Sequence, residues 1–224
     1  MPNWCNNSVE IYHEDPAMIE RVRTAFNDGR LLDEFIPVPA SLRIVSGRCG
    51  ADDNPEQIAL ESAQKSNIEV HGYKDWYDFC VNEWGTKWDI GADGNPAQDF
   101  PGGLMLGFDS AWAPPCAAYE KLTAQGFRIR AMYYEPGMGF AGVWDNGDDD
   151  YYEYGGLDSK GIAETLPVEL DEAFGISESV ADWEAENAED EENIDIDLDG
   201  GVSAVNEQDD GTLAWWVNKQ EKQK

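Results

Sequence analysis

Basic residues are scarce in this chain. Lys and Arg number 15 against 46 Asp and Glu, giving a formal net charge of −31 over 224 residues. A protein that grips nucleic acid needs a basic footprint, and one that settles on an anionic membrane surface needs the same. Direct contact with either is therefore not expected. Long apolar runs are also missing. Stretches such as Leu104-Met105-Leu106 fall far short of the roughly 20 residues a membrane-spanning helix requires. Met1-Pro2-Asn3-Trp4-Cys5-Asn6-Asn7 has neither a basic start nor an apolar core, so no secretory signal is read there and a cytoplasmic location is expected. Cysteine is limited to Cys5, Cys49, Cys80 and Cys116, with no Cys-x-x-Cys pair. That spacing argues against zinc and leaves four free thiols as the expectation in a reducing compartment. No Gly-x-Ser-x-Gly elbow, phosphate-binding Walker loop or His-Glu-x-x-His helix occurs. His13, His71 and Cys80 are the natural suspects for catalysis, but Cys80 lies beside Phe79 and Val81 in a helical stretch, where a thiol reads as buried and inert. No catalytic residue is assigned.

Aromatic residues, in contrast, are plentiful. They make up 12% of the chain and include nine Trp, enough for a packed core. Val9 and Ile11 alternate with polar neighbours and predict a strand over Asn7–His13. Asp15-Pro16 caps a helix carrying Met18, Ile19, Val22 and Phe26, with Gly29 as its stop. Phe35–Pro39 reads as extended, 46–54 as a loop, Pro55–Lys65 as a helix and Asp75–Glu83 as a short helix. Trp84–Trp88 then forms a turn packed by two indoles, and 91–102 a loop or tight hairpin. Further strands are expected at Leu104–Asp109, Phe127–Glu135, Phe140–Trp144 and Tyr151–Tyr154, with a helix from Pro114-Pro115 to Gly126 and a turn at Asn146-Gly147. This order predicts an α+β fold: a ferredoxin-like antiparallel sheet with helices on one face and a hairpin extension.

Charge divides the chain. Residues 155–224 hold 20 acids and four bases, and Glu178–Asp199 holds 11 acids with no Lys or Arg. The expected division is a ferredoxin-like domain over 1–154 and an acidic subdomain or partly ordered tail over 155–224. Val180, Trp183 and Trp215-Trp216-Val217 give that second segment some apolar character.

Four stretches go beyond composition: Met1–Asn7, Asn82-Glu83-Trp84-Gly85-Thr86-Lys87-Trp88, Phe108-Asp109-Ser110-Ala111-Trp112-Ala113-Pro114-Pro115, and Tyr134-Glu135-Pro136-Gly137-Met138-Gly139-Phe140-Ala141-Gly142. In this order the set resembles the YubB ferredoxin-like domain family of phage and plasmid proteins, over about residues 1–154. The resemblance implies a fold and a mobile-element origin and assigns no activity.

Three kinds of site can be placed on these residues. The first is an acidic surface, formed by Asp148, Asp149 and Asp150 and by Glu184, Glu186, Glu189, Asp190, Glu191 and Glu192. It suits a non-enzymatic interaction protein that imitates DNA towards a basic host protein such as a nuclease or defence complex. Plain solubility or adaptation to salt accounts for the same charge. The second is a small-ligand pocket lined by Trp4, Trp84, Trp88 and Trp112 and bordered by Lys87 and Glu135, against which stands the simpler role of indoles as core. The third is a calcium loop. Asp195, Asp197, Asp199 and Gly200 follow the opening of such a loop, but position 12 is Asn206, with Glu207 one residue late. No other cofactor is implied, and the oligomeric state is left open.

Overall fold

The computed structural model describes the backbone of residues 2–192 and the side chains of residues 2–187. The calcium loop expected from Asp195, Asp197, Asp199 and Glu207 lies outside the described residues, as do Trp215–Val217 and the side chains of Glu189, Asp190, Glu191 and Glu192. The chain divides into one unit ending at Ser177 and another beginning at Glu178.

In chain order the elements are β1 (Trp4–Tyr12), α1 (Pro16–Asn27), α2 (Leu31–Phe35), a 3-10 turn (Ala40–Leu42), α3 (Pro55–His71), α4 (Trp76–Glu83), β2 (Gln98–Phe100), β3 (Gly103–Ala111), α5 (Cys116–Ala124), β4 (Arg128–Glu135), β5 (Phe140–Asp145), β6 (Asp148–Glu153), α6 (Ser159–Thr165), α7 (Val168–Phe174) and α8 (Ile176–Glu192). The strands form one antiparallel sheet in the order β2-β3-β1-β4-β5-β6. Its first four strands, read β4-β1-β3-β2, have the ferredoxin-like order, and the β5–β6 hairpin extends the sheet beyond β4. The protein is α+β.

Period-two burial sets the register. On β1, Cys5, Asn7, Val9 and Ile11 are buried while the residues between them are half-buried. Val9 faces Leu106 on one side and Ala131 on the other, and Ile11 faces Leu104 and Ile129. A one-residue slip would turn all of these out of the core. The crossover helices cover this face. α1 contributes Val22, Ala25 and Phe26, and α5 contributes Ala118, Tyr119 and Leu122, with Tyr119 against Trp144 at 5.3 Å. Each fully buried large apolar side chain adds roughly 1.5–3 kcal/mol.

The helix ends follow their caps. Asp15 accepts from the Ala17 N–H at 2.9 Å, and the buried Asp75 accepts from the Asp78 N–H at 3.0 Å. α3 runs past its expected end at Lys65 to His71, because the next left-handed stop is Gly72 at φ 82°. α2 stands just before the Phe35–Pro39 stretch expected to be extended. Its Leu32 and Asp33 N–H groups donate to the carboxylate of Asp89, at 2.6 and 2.9 Å.

The opposite face of the sheet is covered over β4 and β5. Arg130 pairs with Glu169 at 2.7 Å, Tyr134 stacks on Phe174 at 5.5 Å, and Ile162, Leu166 and Leu170 are buried. Helices therefore add to the far face as well as to the face of the crossovers. α6 and α7, beyond the division expected after residue 154, belong to the same compact unit as the sheet.

Candidate functional site

Trp84 ends α4, and Gly85 at φ 84° then reverses the chain. A side chain at 85 would press on the backbone of Pro114, Cys116 and Ala117 at 3.3–3.4 Å, so glycine is required there on two counts. The reversal separates the two indoles expected to pack the turn together. Trp84 goes inward, its Nε1–H donating to the Ile36 carbonyl at 3.0 Å, while Trp88 goes outward. Thr86 anchors the turn to the end of β3: its hydroxyl accepts from the Ala111 N–H at 3.0 Å and donates to the Ala111 carbonyl at 3.2 Å.

That anchor leads directly to Trp112, which holds φ 68°, a conformation costly for any residue with a Cβ. Its N–H donates to the Asn3 carbonyl at 2.9 Å, so the strained backbone is fixed on both sides. The indole so presented is not core. Trp112 is 42% exposed, Trp88 39% and Trp4 45%. Trp88 stacks on Trp112 with centroids 6.4 Å apart and planes 21° from parallel, and Trp4 meets Trp88 at 5.7 Å. Three half-exposed indoles thus form a ladder on the surface. Strain of this kind, held by the surroundings, clusters at functional sites.

Lys87 sits within the ladder. Its Nζ lies 4.5 Å from the centre of the Trp88 ring, 5.4 Å from Trp112 and 5.7 Å from Tyr77. The attraction is that of an ammonium for aromatic faces. Lys87 and Trp88 also border a cleft of about 430 Å³ whose walls include Trp76, Trp84, Arg30 and Arg43. Asp33 and Asp89 share those walls and are already engaged. Asp33 accepts from Arg43 at 2.6 and 2.7 Å and from the Val38 N–H. Burial raises Asp89 above the usual carboxylate range, against the pull of N–H bonds from Asp33, Leu32 and Ile90. Arg30 pairs with Glu34 and Asp28.

The residues named from sequence distribute as follows. Lys87, Trp88 and Trp112 come together, and Trp84 lines the adjoining cleft from its buried position. Glu135 does not line it. It is buried, and its two oxygens accept from the Gly137 and Met138 N–H groups at 2.7 Å each, which closes the turn between β4 and β5. Asp148, Asp149 and Asp150 are exposed on β6. Asp149 accepts from the Tyr133 hydroxyl at 2.7 Å, which passes over Gly142, where a side chain would collide with it. On α8, Glu184 is half-buried and Glu186 exposed. His13 accepts from the Asp15 N–H, and His71 bonds the Ser41 hydroxyl at 2.8 Å. The four cysteines are free. Burial pushes the thiols of Cys5, Cys80 and Cys116 up to about 12, far from a reactive range. Among the described residues no three His, Cys, Asp or Glu side chains gather as metal ligands, and no helix is long and apolar enough to cross a membrane.

Tyr77, Arg30 and Arg43 were not singled out from sequence. They reach the site from three separate segments, and no local pattern joins them.

The sheet order and this aromatic cleft define an α+β protein with ferredoxin-like topology and a built surface recess. No protein-family model matches the chain, and no curated protein matches it. Among solved structures it is similar to the crystal structure of protein api92 from Yersinia pseudotuberculosis, at 15% identity and a TM-score of 0.35, over 69% of this chain and 99% of that one.

Proposed function

We propose that this chain is a non-enzymatic binding module of the YubB ferredoxin-like kind, acting in a host cell's cytoplasm, and that a small ring-bearing ligand occupies the indole ladder and its cleft. The observation that carries the reading is Trp112: a large apolar side chain held half-exposed on a left-handed backbone, stacked on an equally exposed Trp88. Burial does not repay such a residue, but ring stacking on a ligand does. The buried thiols and the locally engaged histidines offer no activated nucleophile or free base. The test is a screen of small aromatic compounds read by the indole N–H resonances. Compounds that shift Trp88 and Trp112, and lose that effect in Trp88→Ala, support the reading. A library whose hits all leave those two resonances unmoved overturns it.

The exposure of Asp148 and Asp150 on β6, and of Glu186 on α8, favours a second reading. In it the carboxylates meet a basic host protein that handles nucleic acid, with attraction weakening as salt rises. Pull-down from host lysate at low and high salt checks it, with a chain ending at Ser177 as the comparison. Recovery of no basic nucleic-acid enzyme at low salt sinks this second reading.

A further inference from the structure

We infer that the cleft selects a planar anion of about mononucleotide size, with its ring on the exposed indoles and its charge at Lys87. The inference rests on the binding reading above and adds the chemical class of the ligand.

The charges of the cleft are unequal in their commitments. Asp33 is held by Arg43 and by the Val38 N–H, and Asp89 by three backbone N–H groups. The charge of Asp33 is thus matched by Arg43, and the oxygens of Asp89 are turned to the backbone. Lys87 differs: among the described residues it forms no ion pair, although acids outnumber bases in the chain by 46 to 15. Its neighbours are ring faces, which attract an ammonium without accepting the directed bonds of its three N–H donors. Arg43 meets Asp33 through Nη2, which leaves the rest of its guanidinium fork for a second acceptor. Lys87 is therefore the cation of the recess whose N–H donors are unmet, inside a protein whose net charge is −31.

Shape supplies the other half of the description. Trp88 and Trp112 lie within 21° of parallel and offer flat faces. The cleft of about 430 Å³ falls in the lower part of the usual range for small-ligand sites. A nucleic-acid strand carries the same ring-plus-anion chemistry, but its many phosphates would feel the field of the whole acidic protein. A free ligand with one or two charges meets mainly the local cations. The free small molecule is thus favoured over the strand.

The test is titration of the full-length protein, followed by indole fluorescence, with AMP, adenosine, inorganic phosphate and a single-stranded oligodeoxyadenylate. AMP should bind at least tenfold more tightly than adenosine and than phosphate, and the oligonucleotide no more tightly than AMP. Lys87→Met, which keeps the aliphatic stem, should bring AMP and adenosine within twofold of each other, and Lys87→Arg should restore the preference. A denaturation midpoint for each variant confirms that it is folded. If Lys87→Met does not fold, Arg43→Gln at an exposed position replaces it, with a loss of preference of at least threefold expected. Adenosine binding as tightly as AMP overturns the charge assignment while leaving the cleft as a ring site. Tighter binding of the oligonucleotide overturns the choice of a small ligand. No response to any of the four overturns the inference, and the indole resonance screen separately decides whether the cleft binds rings at all.

Discussion

Replacing Trp112 separates the cost of its backbone from the value of its indole. At φ 68° a residue with a Cβ bears about 1–2 kcal/mol relative to a right-handed conformation. Trp112→Gly removes that cost and Trp112→Ala keeps it. Both variants lose the stack on Trp88, worth about 0.5–1.5 kcal/mol, and a share of the Lys87 contact, worth about 0.5–1 kcal/mol. Little burial is lost with them, because the side chain is 42% exposed. Glycine also loosens the unfolded chain, by about 0.4–1 kcal/mol. The glycine variant should then lie about 1 kcal/mol below the parent and the alanine variant nearly 1 kcal/mol below that, taking the middle of each range. Urea denaturation followed by circular dichroism reads the difference. With a slope of about 2 kcal/mol per M, the two midpoints should stand about 0.4 M apart, glycine higher. Both variants should lose the ring ligand. An alanine variant equal to or more stable than the glycine variant would show that position 112 is not held left-handed in solution, and the argument from strain would fall with it.

Three further outcomes follow from other parts of the molecule. Glu135→Gln should cost about 1–3 kcal/mol in the same denaturation assay, since one of two N–H groups loses its acceptor, while ligand titrations stay unchanged; a loss of binding without a loss of stability would return Glu135 to the site. A thiol reagent at pH 8 should modify the exposed Cys49 quickly, the half-buried Cys116 slowly and the buried Cys5 and Cys80 only on unfolding; a fast reaction at Cys5 or Cys80 in the native protein would contradict the burial that pushes both thiols up to about 12. Burial and then the neighbouring charge of Asp93 raise Asp109 above its ordinary 3.8, so the folded state holds that proton more tightly than the unfolded state does. The penalty is present above the folded pKa and gone below 3.8. Asp109→Asn should therefore be more stable than the parent at pH 7, with the gap closing on acidification; a gap that widens as pH falls would be the wrong sign.

The sheet was legible because its signals are local. Alternation places Val9 and Ile11, or Ile129, Ala131 and Tyr133, on one face without reference to the rest of the chain. Asp15 and Asp75 mark helix starts by the same local logic, whereas Gly72, which stops α3, lies beyond the end expected at Lys65. α2 was not legible, since its first N–H groups are satisfied by Asp89 from 56 and 57 positions away. β6 begins three residues before its expected start, because pairing with β5 overrides the low strand preference of Asp148, Asp149 and Asp150. Ile162, Leu166 and Leu170 recur every four residues, a helical pattern diluted by the acids around it. In the site, the motifs of residues 84–88 and 112–115 announced Lys87, Trp88 and Trp112. They did not announce which indole faces outward, because that depends on the φ of Gly85.

The two outer strands of the sheet bear on self-association. An edge strand offers unpaired backbone groups to any second chain, and a long apolar one invites growth. Here β2 offers a ladder of three residues, too short to hold a newcomer. β6 is longer, but a second copy laid along it would bring Asp148, Asp150 and Glu153 against the same carboxylates of its twin. One margin is closed by length and the other by repulsion. Repulsion weakens with acid and with salt, whereas length does not. Conditions that neutralise the carboxylates therefore open one margin only, and any strand-by-strand assembly of this protein would begin at β6.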